Sequence, residues 1–215
     1  MTRTGRLILW LGLVGALIAL AYYARIAGGP LEKDPLYRYD TAVQGLISYA
    51  LMLGLVLAIS GGSKELLALR RPRSWPRALK LTAATFVGVF VATGILDHFL
   101  HAGKEQGLTP SGWDSAHAGQ YAANFVVVAV VAPVVEELTY RGLGFTLLER
   151  YGQWLAIVAT AILFGASHGL IEGLAVLTVF GIGIGWLRSR TESVYPGMLF
   201  HAGFNGLALV LAVTT

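Results

Sequence analysis

The chain has 215 residues, of which 55% are hydrophobic and 13% charged, and its mean hydropathy is +0.65. A soluble globular domain carries about 25% charged residues, so the composition excludes a soluble enzyme and points to an all-α, polytopic membrane protein. The net charge of +4 is placed in clusters that mark membrane orientation rather than nucleic-acid binding, and with no cysteine there is no disulfide, thiol nucleophile or thiolate metal site.

Apolar runs near the length of about 20 residues that crosses a bilayer occur at 7 to 27, 41 to 62, 81 to 100, 121 to 148, 153 to 170, 171 to 187 and 194 to 213. Seven spans are expected, the fifth and sixth divided only around Gly169 to Gly173. The first run is long and is followed by Arg25 and a second span, which predicts an anchor rather than a cleaved signal. Between the second and third runs, four arginines with Trp75 and two prolines form a basic loop, Arg70 to Arg77, read as a solvated loop that sets topology, with contact to anionic lipid headgroups as the lesser alternative. Near the outer end of the third run, Asp97, His98 and His101, with His117 beyond, are read as interfacial, with metal binding as the lesser alternative. The longest polar stretch runs from His101 to Gln120, and no internal repeat or domain linker is evident. The chain therefore reads as a single transmembrane domain over 1–215, with N-terminal spans and loops at 1–120 and a four-helix core at 121–213.

Arg3, Arg6, Lys64, Arg70, Arg71, Arg73, Arg77, Lys80, Arg150, Arg188 and Arg190 fall on one side of this arrangement, and Arg25, Lys33, Arg38 and Lys104 on the other. By the positive-inside rule the N-terminus is expected to be cytoplasmic and the C-terminus external. Gly165 with Gly169, and Gly181 with Gly185, are spaced to bring helix backbones together.

The fourth run is interrupted by Glu136, Glu137 and Arg141. Ionisable groups in hydrocarbon cost roughly 2.5–3.5 kcal/mol each on insertion scales, which makes the cluster a candidate functional site. Glu137 and Arg141 stand at i, i+4 with the acid first, the favourable order for a helical ion pair. Glu136 is rotated by about 100° from Glu137 and is expected to face a polar cavity, where a poorly solvated carboxylate serves as a general base. With the fourth and fifth runs as a hairpin turning at 150–153, Glu136 and His168 each lie about 21 Å from the turn, and His201 and Asn205 reach a similar depth. The parts are a base, a water, a histidine shuttle, and two donors, His201 and Asn205, for a developing oxyanion. Taken singly, each cluster has a plainer reading as a buried ion pair, a core histidine or a helix-to-helix hydrogen bond; the three together favour one site.

The ordered motifs Glu136-Glu137-Leu-Thr-Tyr-Arg141, Phe164-Gly-Ala-Ser-His168 and His201-Ala-Gly-Phe-Asn205 resemble those of the CPBP family, the CAAX prenyl protease type II and bacteriocin-processing intramembrane proteases, myxosortase-like members included. The resemblance covers roughly Tyr121 to Val213. It implies a glutamate-type endopeptidase without cofactor in which Glu136 and His168 activate water, His201 and Asn205 form the oxyanion hole, and Glu137 and Arg141 support the site. It also implies a multi-pass protein of a prokaryotic inner membrane, whose partners are membrane lipids and a protein or peptide substrate, such as a lipidated protein or a C-terminal sorting helix, with no nucleic acid. Alternatives remain: a zinc protease using Glu136, His168 and His201, although no His-Glu-x-x-His helix is present; a rhomboid-like serine protease using Ser167; and a non-catalytic transport or immunity protein with a buried proton relay.

Overall fold

A computed structural model describes residues 1–28, 33–100, 105, 110 and 112–214. The helices are α1 (Arg3–Ala27), α2 (Tyr39–Ser60), α3 (Trp75–Leu100), α4 (Ser115–Tyr151), α5 (Gln153–Ala166), α6 (Gly173–Thr191) and α7 (Tyr195–Thr214), with a single 3-10 turn, Pro35–Tyr37, before α2. They follow the seven apolar runs in order, but five of them (α1, α2, α3, α4 and α7) are long and apolar enough to cross a membrane by length and composition. The expected count of seven spans is corrected to that extent. α5 has only 14 residues, and α6 ends in Arg188, Ser189 and Arg190. α6 is enclosed by α3, α5 and α7 and, among the described residues, presents no large apolar side chain to the outside. A helix wrapped by other helices needs no lipid-compatible surface. The outer helices do show one, with Leu20, Leu51, Val87, Val130, Leu155 and Leu199 all about half exposed or more.

Polar contacts gather the basic residues at one end of the bundle. Arg6 Nη1 donates to the Ile59 carbonyl at 2.5 Å, Arg150 Nη2 to Thr4 Oγ1 at 3.4 Å, and Arg70 Nε to the Glu192 carbonyl at 2.6 Å, while the Val194 amide donates to the Ala68 carbonyl at 3.2 Å. Opposite, Asn124 Nδ2 donates to the carbonyls of Leu36 and Arg38 at 3.0 and 2.8 Å, and the Tyr121 hydroxyl to that of Leu209 at 2.6 Å.

Two glycines set the connections around α5. Gly152, at φ 131°, turns the chain between α4 and α5; Gly169, at φ 68°, turns it after α5 in a conformation that L side chains avoid. The expected helical pairing of Gly165 with Gly169 is therefore corrected, because α5 stops at Ala166 and His168 sits in the following turn. Gly165, Gly181 and Gly185 do let α5 and α6 approach: a Cβ on Gly181 would lie 2.8 Å from the Ala161 Cα, and one on Gly165 would lie 3.0 Å from Thr178 Oγ1.

His117 Nδ1 pairs with Asp114 Oδ2 at 2.6 Å near the mouth of α4, and His98 rests edge-on against Phe99. Asp97, in the last turn of α3, lines the central cavity described below. His101, and residues 102–104, 106–109 and 111 of the polar stretch after it, lie outside the described residues.

Candidate active site

The winding of α4 determines where its charges go. Two segments, Val127–Val131 and Leu138–Gly144, adopt i→i+5 hydrogen bonding, and Glu136 and Glu137 fall between them. Such π segments occur frequently at functional sites, and they leave carbonyls without an intrahelical donor. Side chains from three other helices meet carbonyls in or next to these segments: Asn205 Nδ2 donates to Val128 O at 3.0 Å, Trp10 Nε1 to Thr139 O at 2.9 Å, and Arg188 Nε to Arg141 O at 3.1 Å. The first has a specific cause. Ala132 N–H bonds Val127 O, so in that register residue 133 would donate to Val128 O, but Pro133 has no N–H. The Asn205 amide takes its place.

Glu137 and Arg141 are fully buried and paired, Nη1 to Oε1, at 3.2 Å. Arg141 Nη2 also donates to the Gly181 carbonyl at 3.1 Å, and its guanidinium lies 4.6 Å from the centre of the Phe164 ring, a cation–π contact that stabilises charge in an apolar setting. His201, itself buried, stands between the two glutamates. Its Nδ1 is 3.1 Å from Glu137 Oε1 and its Nε2 is 3.6 Å from Glu136 Oε2, the second too long for a direct hydrogen bond. The two carboxylates thus share one imidazole, a link that the 100° rotation between them did not suggest.

Glu136 projects into a cavity of 420 Å³ bounded by α2 to α7, with Phe90, Leu177, Phe180 and Phe204 among its apolar walls. Glu136, His168, His201 and Asn205, drawn from α4, the turn after α5, and α7, all line it. His168 Nδ1 lies 2.8 Å from the Phe164 carbonyl; donation there leaves Nε2 with its lone pair available. Tyr49 of α2, which the sequence did not single out, donates from its hydroxyl to Glu136 Oε1 at 2.9 Å. The one signal that could have found it is a hydroxyl-bearing side chain in the middle of an apolar helix. Ser167 accepts from the Tyr140 hydroxyl at 2.7 Å and donates to the Phe164 carbonyl at 2.8 Å, an arrangement that ties it to the helix end. Among the described residues no three histidine or acidic side chains form a group that could hold a metal ion.

Chemically, the arrangement puts a carboxylate with one oxygen anchored, an imidazole with one nitrogen anchored, and two nitrogen-bearing groups on α7 around one space walled by aromatic rings. No curated protein and no solved structure matches the chain. Residues 118–207, which hold every charged and amide group of the cluster, match the family model described as type II CAAX prenyl endopeptidase Rce1-like. The recognition read from the three motifs is thereby borne out, and this segment of a multi-pass membrane protein is similar to that of the CAAX-type intramembrane proteases.

Proposed function

We propose that the chain is an intramembrane endopeptidase of glutamate type that cleaves a membrane-associated or exported protein. The observation that supports this most is the meeting of Glu136, His168, His201 and Asn205 around the 420 Å³ cavity. Glu136, with Oε1 held by Tyr49, takes a proton from water at Oε2 as the water oxygen attacks the scissile carbonyl carbon. The carbonyl electrons move onto oxygen, and His201 Nε2 with the remaining N–H of Asn205 donate to that oxyanion. An imidazole whose Nδ1–H is held by Glu137 donates from Nε2 only as the imidazolium. Collapse of the intermediate breaks the C–N bond, and the proton reaches the departing amine through His168, leaving one new carboxyl and one new amino terminus. The proposed chemistry requires no cofactor.

The basic end of the bundle is assigned to the cytoplasm by the positive-inside rule, which puts the N-terminus inside. Glu136, about 21 Å from that end at 1.5 Å per residue, then lies in the outer part of a core about 30 Å thick. That depth supports an exported or membrane-anchored substrate, such as a C-terminal sorting helix, over a protein approaching from the cytosol. The test is mass spectrometry of membrane proteins from cells carrying wild-type or Glu136→Gln chain, in the presence and absence of chelator. A truncated partner that needs Glu136 and survives chelation is expected; truncation independent of Glu136, or abolished by chelation and restored by zinc, overturns the reading.

A further inference from the structure

Tyr49, Glu136 and His168 line two cavities, and they are the three residues that the two have in common. On the side of α3, α6 and α7 lies the 420 Å³ cavity; on the side of α1 and α2 lies a second, of 240 Å³, whose walls include Leu17, Ser48 and Met52. The three shared side chains form a septum. Glu136 is divided across it by its neighbours, Oε1 taking the Tyr49 hydroxyl at 2.9 Å toward α2 and Oε2 facing His201 Nε2 at 3.6 Å toward α7.

We propose that the smaller chamber is a substrate subsite, holding an aliphatic side chain of the residue on one side of the scissile bond while the larger cavity holds the other side. The proposal rests on the endopeptidase reading above and deepens it. Successive side chains of an extended peptide point to opposite faces. A scissile carbonyl held at the septum therefore sends one flanking side chain into each space. The chamber's chemistry selects what enters: Leu17 and the buried Met52 are apolar, and a methionine adapts its shape to an irregular neighbour. Tyr140 and Ser167, which also line it, spend their hydroxyl protons on Ser167 and on the Phe164 carbonyl. Beyond the septum, no charged residue among those described lines it. Apart from the septum and the Ser48 hydroxyl at the outward-facing edge, the described lining offers a charged or amide side chain no uncommitted partner to offset its desolvation cost, whereas leucine, isoleucine or methionine needs none.

The experiment uses the purified full chain in detergent with a proteome-derived peptide library, reading both new termini of every cut by mass spectrometry. The wild type is expected to prefer aliphatic residues at one flanking position. Met52→Trp, which fills the chamber, is expected to cut cleavage at leucine, isoleucine and methionine there by about tenfold or more relative to alanine, with preference at the other flank unchanged. Met52→Ala is expected to shift the same position toward phenylalanine and tryptophan. Ser48→Leu, on the outward-facing edge of the chamber, is expected to act in the direction of Met52→Trp and provides a milder filling variant. A uniform fall in rate with unaltered preference at both flanks in these variants overturns the subsite and makes the chamber a water path or a packing defect. If no cut depends on Glu136, as read with Glu136→Gln, the endopeptidase reading itself is overturned.

Discussion

The imidazole of His201 lies between Glu137 and Glu136, with Nδ1 3.1 Å from one carboxylate and Nε2 3.6 Å from the other. Glu137 also carries Arg141 at 3.2 Å, so one buried carboxylate orients both the cation and the histidine. In Glu137→Gln the guanidinium loses its counter-charge, and breaking a buried pair from one side costs about 3–5 kcal/mol. The variant is expected to lose both activity and thermal stability in detergent, measured by fluorescence-monitored unfolding. Glu136→Gln should lose activity while its unfolding temperature stays close to that of the wild type, because its partner Tyr49 can still donate to an amide oxygen.

Tyr49→Phe isolates the anchoring of Glu136 Oε1. A hydrogen bond to a charged group contributes about 1.5–3 kcal/mol, and if that bond fixes the base in the transition state the variant should lose about 10- to 100-fold in kcat with KM little changed. Steady-state kinetics on the identified substrate decides this. An unaltered kcat would show that the tyrosine only fills space.

Pro133 and Asn205 are coupled through the Val128 carbonyl, which accepts from the Asn205 amide at 3.0 Å. Pro133→Ala supplies a backbone N–H that can take that carbonyl, releasing Asn205 from its fixed pose. The expected result is a loss of activity without a loss of unfolding temperature, the reverse of a merely structural defect. Asn205→Ala should lose both, since in the proposed mechanism it removes an oxyanion donor, typically about 10²–10³ in rate, and leaves the carbonyl unpaired.

Glu105 tests the connection that borders the cavity. Its carboxylate accepts the amides of Ile171 and Gly173 at 2.9 and 2.8 Å and pairs with Arg25 at 2.7 Å, while Leu170 and Gly173 line the cavity. Burial acts to raise its pKa, but the amide donors and Arg25 outweigh it and hold the group below the usual carboxylate range. A depressed folded-state value means stabilisation that is complete above the unfolded-state value and is lost as the pH falls through the folded one. Unfolding temperature measured against pH should therefore fall more steeply on acidification in the wild type than in Glu105→Gln, and at neutral pH the variant should be the less stable of the two.

Much of this architecture is legible in the chain, because apolar runs bounded by Arg and Gly report helices directly and the order of Glu136, His168, His201 and Asn205 survives in any reading. The i, i+4 spacing of Glu137 and Arg141 likewise gives their ion pair. What stays hidden depends on backbone winding and on contacts far apart in sequence. The two i→i+5 segments of α4 have no compositional mark apart from Pro133, so neither the approach of Glu136 to His201 nor the engagement of Asn205 with Val128 follows from ideal helix geometry. Tyr49 lies 87 residues before the carboxylate it contacts, and apart from a hydroxyl in the middle of an apolar helix nothing local distinguishes it from a packing residue. α6 shows the limit of hydropathy: it is enclosed by protein, so its composition does not have to satisfy lipid.

The most direct measurement is a comparison of wild-type, Glu136→Gln and His168→Ala chains, reconstituted in liposomes with the truncated partner's precursor and followed by intact-mass spectrometry. If Glu136 and His168 activate the attacking water, wild-type protein yields one cut whose two products sum to the precursor plus one water, and each variant loses at least about 10²-fold in rate, the lower range for positioned acid–base catalysis, while retaining its unfolding temperature. Cleavage at the wild-type rate by folded Glu136→Gln protein would contradict it.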